Sequence, residues 1–98
     1  MNVPNPKDPN LTNPARRKQV RRVVLEALRH ASPYALTREV LESHVNDLIR
    51  PPLSLGEWVV TEQFLEAGKF IAAIRSDIDP DMKQWAITDL GKTLLATL

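Results

Sequence analysis

The chain has no cysteine and only two histidines. Without cysteine, neither a disulfide framework nor a thiolate zinc site can form. His30 and His44 fall on different predicted helices and lack the spacing of a zinc-binding histidine pair. No metal site and no nucleophile–base couple is therefore expected. Three scattered glycines leave no Gly-rich phosphate loop. No apolar run approaches the ~20 residues needed to cross a bilayer. The opening MNVPNPKDPN has no apolar signal core. The expectation is a cytoplasmic protein with no cofactor, no membrane contact and no enzymatic activity.

What the chain does have is an uneven distribution of charge. Its net charge is only +1, yet residues 1–31 hold seven Lys/Arg against two Asp/Glu. The remaining 67 residues hold six against ten. A basic front on an acidic body favours a polyanionic or acidic partner, and only for the front.

Residues 1–13 carry prolines at 4, 6 and 9 and show no helical or strand period, which predicts an extended arm. Such an arm is either a loose terminus or a segment reaching a groove or a second subunit. Residues 14–98 form the single domain. Asn13-Pro14 is a helix start, with Asn as cap and Pro at the first helical position. Val20, Val23, Val24, Ala27, Leu28 and Ala31 then recur at steps of three and four, one apolar stripe of a helix. Ser32-Pro33 ends it. Thr37 caps a second helix with Val40, Leu41, Val45, Leu48 and Ile49 on its apolar side, closed by Pro51-Pro52. Ser54 and Glu57 make a capping box for a third helix, with Leu53 and Trp58 as its hydrophobic staple. Gly68 suits the position beyond its end, where the chain turns through positive φ.

The period then changes to that of strands. KFIAAIR (69–75) and QWAIT (84–88) predict a two-stranded hairpin around a polar turn. A last helix follows Thr88, weakened by Gly91 by about 1 kcal/mol relative to Ala, with Leu94, Leu95 and Leu98 on its apolar edge. An isolated hairpin is not stable, so it must pack on the helices. Trp58, Phe64, Phe70 and Trp85 are expected in the core. Asp77, Asp79 and Asp81 are spaced like the first ligands of a calcium loop, but Met82 and Thr88 stand where Gly and Glu are required. A hydrated acidic turn is expected instead.

The stretch FLEAGKFIAAIRSDIDPDMKQWAITDLGKTLL resembles the C-terminal half of winged helix-turn-helix domains. The resemblance rests on Leu65, Gly68, Phe70, Ile71, Trp85, Ile87, Thr88, Gly91, Leu94 and Leu95. The compact layout also resembles small winged-helix proteins of Mu-like prophages. It implies a mostly α (α+β) winged helix: three helices, a two-stranded wing and a C-terminal helix. It also implies duplex DNA as partner and a role in transcription regulation.

In that family the third helix usually enters the major groove. Here its charges are Glu57, Glu62 and Glu66, and no Lys or Arg lies on it. Gln63 could pair with adenine, but the carboxylates repel phosphates. The positive charge sits on the first helix, at Arg16, Arg17, Lys18, Arg21 and Arg22, which is either a phosphate-binding patch or a solvated helix face. Two functional expectations follow. In the first, these five cations hold the phosphates of duplex DNA, the arm assists, Gln63 and Arg75 touch base or groove, and the protein is a possible homodimer. In the second, the acidic third helix and wing face a basic protein partner or a second copy.

Overall fold

A computed structural model describes residues 12–75, 79 and 82–98. The expected arm therefore lies outside the described residues except at its last two positions. So do Asp77 and Asp81 of the acidic turn.

Among the described residues, four helices and three short strands follow in the order α1 (Pro14–Ala31), β1 (Leu36–Thr37), α2 (Arg38–Leu48), α3 (Leu55–Ala67), β2 (Ile71–Arg75), β3 (Lys83–Ile87) and α4 (Asp89–Thr97). The fold is mostly helical with a small antiparallel sheet. None of the helices is long and apolar enough to cross a membrane.

The predicted caps are in place. The Asn13 side chain accepts from the backbone N–H groups of Ala15 and Arg16, and Thr37 accepts from Val40. Ser54 and Glu57 exchange both bonds of the capping box. Each such cap contributes roughly 1 kcal/mol by satisfying backbone donors that the first helical turn leaves unpaired.

The sheet has three strands in the order β1-β3-β2, not the two expected. Leu36 and Thr37 pair with Trp85 and Gln84, placing β3 at the centre. A two-residue strand carries too little alternation to be read from sequence. Trp85, on the central strand, is buried, together with Trp58, Ile71 and the fully enclosed Leu25, Leu28, Leu41, Val45, Ile49 and Leu65. Leu94, Leu95 and Leu98 of α4 pack against this core from outside.

Three packing expectations are corrected. Phe64 is 39% exposed, and Val40 and Leu48 stand on the open side of α2. The buried stripe of α2 is narrower, with Leu41 and Val45 facing inward and Ile49 just beyond its end. The positive φ falls on Lys69 rather than Gly68. Gly68 is needed for space instead, since a Cβ there would lie 2.3 Å from the Phe70 ring. Gly91 has a similar reason. A Cβ would meet the Phe70 carbonyl oxygen at 2.1 Å, because Thr88 binds the start of β2 closely. The Thr88 hydroxyl donates to the Lys69 carbonyl at 2.6 Å, and its N–H donates to Phe70 at 3.1 Å.

Candidate nucleic-acid interface

An α-helix turns 100° per residue, so five cations within seven residues cannot share one face. Arg16 lies four residues before Val20 and seven before Val23, on the apolar stripe, and it points inward. It is 7% exposed. Its Nε donates to Glu57 Oε2 at 2.8 Å, and Nη2 donates to Glu57 Oε1 at 3.2 Å and to the Pro51 carbonyl at 2.7 Å. Arg16 is therefore withdrawn from the predicted phosphate-binding set. Its donors are engaged inside the protein, where they join α1 to the turn before α3 and to the first turn of α3.

The other four cations remain on the surface in two directions. Arg17 and Lys18 are exposed and form no ion pair with another described residue. Arg21 leans towards α3 and stands over the Phe64 ring, 3.5 Å from its centroid. Burial lowers the Arg21 pKa from its ordinary value, and neighbouring Arg17 lowers it further. The stack explains the half-open position of Phe64: a guanidinium plane, not an aliphatic side chain, covers it. Phe70 stacks on Phe64 with ring centroids 6.0 Å apart. Arg22 turns the opposite way and pairs with Glu26 at 3.2 Å.

The acidic third helix is compensated by other elements. Glu57 faces Arg16. Glu62 lies 3.5 Å from Arg38 at the start of α2, and Glu66 lies 3.8 Å from Lys83 on β3. Arg38 also reaches Glu42 at 3.1 Å. The Glu62 pair is incomplete: Glu62 Oε1 and Arg38 Nη2 are enclosed without a hydrogen-bond partner. Burial raises the Glu62 pKa above the usual carboxylate value. Arg38 and Lys83 pull it back, while Glu42 and Glu66 push it further up. The third helix has no Lys or Arg of its own, yet its carboxylates are not without basic neighbours. The bases come from α2 and β3, which are distant in sequence.

Gln63 is exposed on α3, one residue from the Arg21–Phe64 stack. Arg75 is exposed at the end of β2, directly across the ladder from Lys83. Two like charges opposite one another weaken a strand pair. Lys83 is drawn instead over the Trp85 ring at 4.4 Å and towards Glu66. The structure therefore brings Arg21 to Phe64 on α3, keeps Arg75 on the hairpin, and turns Arg16 inward. Arg38, Arg29 and Lys92 stand outside the predicted set, since each acquires its setting from another helix. His30 and His44 line one open cleft of about 660 Å³ between α1 and α2, with Glu26, Arg29 and Asp47. No group of three metal-ligating side chains occurs among the described residues.

A scan against protein-family models finds no match for this chain, and a search of curated proteins finds none either.

Proposed function

We propose that this chain is a winged-helix protein that binds duplex DNA through the outer surface of α1, and that it acts as a small regulator of transcription. The observation that carries the reading is the segregation of charge. Each α3 carboxylate has a basic neighbour within the fold, whereas Arg17 and Lys18 stand outward without an acidic partner among the described residues. Unmatched surface cations release the counterions condensed on DNA and so supply sequence-independent affinity. The order of α3, hairpin and α4 agrees with the resemblance to winged helix-turn-helix domains. Gln63, exposed on α3, is the side chain there suited to a base edge. In this reading Arg17, Lys18, Arg21 and Arg22 hold phosphates, and Arg75 reaches the groove from the hairpin. The competing reading, in which the acidic α3 and wing face a protein partner or a second copy, is weakened on α3, where Arg38 lies 3.5 Å from Glu62 and Lys83 lies 3.8 Å from Glu66.

Fluorescence anisotropy with random-sequence duplex DNA at about 50 and 200 mM salt tests the proposal. Binding should weaken steeply with salt and disappear in Arg17→Glu/Lys18→Glu. Absence of binding at low salt and tens of micromolar protein would sink it, and Glu62 and Glu66 would then become the first residues to test against protein partners.

A further inference from the structure

The cation row of α1 continues well past the cluster at its N-terminal end. Lys18, Arg22 and Arg29 lie within roughly 40° of one another on the helix at 100° per residue, in a row about 16 Å long. Arg29 is exposed and has no ion-pair partner among the described residues. At its end of the row α1 meets α4. Between the two helices is an open groove of about 330 Å³ whose walls include Arg22, Glu26, Arg29, Lys92 and Leu95. Lys92, on the first turns of α4, is likewise exposed and unpaired among the described residues. Among the described residues Glu26 is the only acidic side chain on the wall, and Arg22 pairs with it at 3.2 Å. The groove therefore presents two uncompensated cations from two different helices, in line with Lys18.

We propose that this α1–α4 groove is a second phosphate-binding site, taking backbone phosphodiesters of the same duplex that the first turns of α1 engage. The inference rests on the DNA-binding reading and extends its footprint to Arg29 and Lys92. Charge complementarity carries it, together with length. One strand of B-DNA presents a phosphate about every 3.4 Å along the axis, so a row of about 16 Å passes roughly five of them. The duplex would then lie along α1 and over the α4 side, and the groove would receive phosphates from the part of the backbone beyond Arg22.

The test is the salt slope of binding, measured by anisotropy on the full chain with random-sequence duplex DNA. Each phosphate contact contributes about 0.9 to the slope of log K against log salt. Arg29→Ala/Lys92→Ala should lower the slope by about 1.8, so that raising salt from about 50 to 200 mM costs this variant roughly twelvefold less affinity than it costs the parent. Arg29→Lys/Lys92→Arg keeps the charges and should keep the parent slope. A parent that binds, with an alanine pair whose slope is unchanged, overturns the groove while leaving the α1 reading intact. A parent that does not bind at low salt overturns both.

Discussion

Replacing Arg16 by Met should remove a large part of the stability of this domain, although Arg16 begins a run of cations read from sequence as surface charge. Met fills similar space and donates nothing. Glu57, 3% exposed, would lose both guanidinium bonds and retain the Ser54 backbone N–H at 3.1 Å. The Pro51 carbonyl would lose its 2.7 Å donor as well. Removing one partner of a buried ion pair costs about 3–5 kcal/mol. Domains of this size lose roughly 4–8 °C of Tm per kcal/mol, so the expected fall is on the order of 12–40 °C. Urea unfolding followed by the fluorescence of Trp58 and Trp85, both buried, measures the loss directly. Arg17→Met, one residue along and exposed, should stay within about 0.5 kcal/mol of the parent. Arg16→Met/Glu57→Gln should recover part of the loss, because a neutral amide requires no cation. A cost for Arg16→Met below about 1 kcal/mol, the value of a surface pair, would refute the reasoning. Equal costs at positions 16 and 17 would refute it too.

Two further outcomes follow from the packing. Gly91→Ala should destabilise the fold in a thermal melt. Overpacking against the Phe70 carbonyl, 2.1 Å from the new Cβ, costs about 1–3 kcal/mol or more and outweighs the gain of about 1 kcal/mol in helix propensity; a stabilised variant would show that β2 and α4 do not meet this closely. Glu62→Gln should raise Tm near neutral pH. The folded state raises the Glu62 pKa, so its protonated form contributes stability that is complete below the ordinary value of 4.5 and is lost as pH rises through the higher folded value. The gain should therefore be greater at about pH 7.5 than at about pH 4, and a gain independent of pH would assign it to something other than ionisation.

Local signals in the sequence were enough to place the helices. Asn13-Pro14, Thr37, Ser54 with Glu57, and Thr88 are all caps whose chemistry operates within three residues. The strands of the hairpin were legible to within two residues because β-branched and aromatic residues bound them. What escaped depended on contacts between distant segments. Strand β1 exists because β3 lies beside it. In the sequence Gly91 only weakens a helix; in the fold the Phe70 carbonyl lies against it. Arg38 and Lys83 meet Glu62 and Glu66 only in the folded chain. One inter-helix feature was within reach. Arg16 keeps the i+4 and i+7 register of Val20 and Val23, and Glu57 keeps the register of Thr61 and Leu65, so each marks a charge on a buried stripe. Opposite charges on two such stripes are a signal for a buried pair.

The same pairing changes how the third helix would meet a polyanion. A carboxylate within 4 Å of a cation acts on distant charges as a dipole, whose field decays faster than that of an isolated charge. Glu66 with Lys83 meets this distance, whereas Glu42 and Glu62 share Arg38, which leaves that trio one negative charge. Screening over about 10 Å at 0.1 M salt further weakens both fields at an approaching phosphate. Arg17, Lys18, Arg29 and Lys92 have no such partner among the described residues, so they dominate the long-range field on the α1 side. Reversing Arg17 and Lys18 should therefore affect DNA binding more than replacing Glu62 and Glu66 by Lys improves it. The second change also strands Arg38 and Lys83 beside new like charges, so part of its electrostatic gain is offset by repulsion within the fold. The orientation of a bound duplex would then be set by α1, with α3 close enough to present Gln63 but contributing little to attraction.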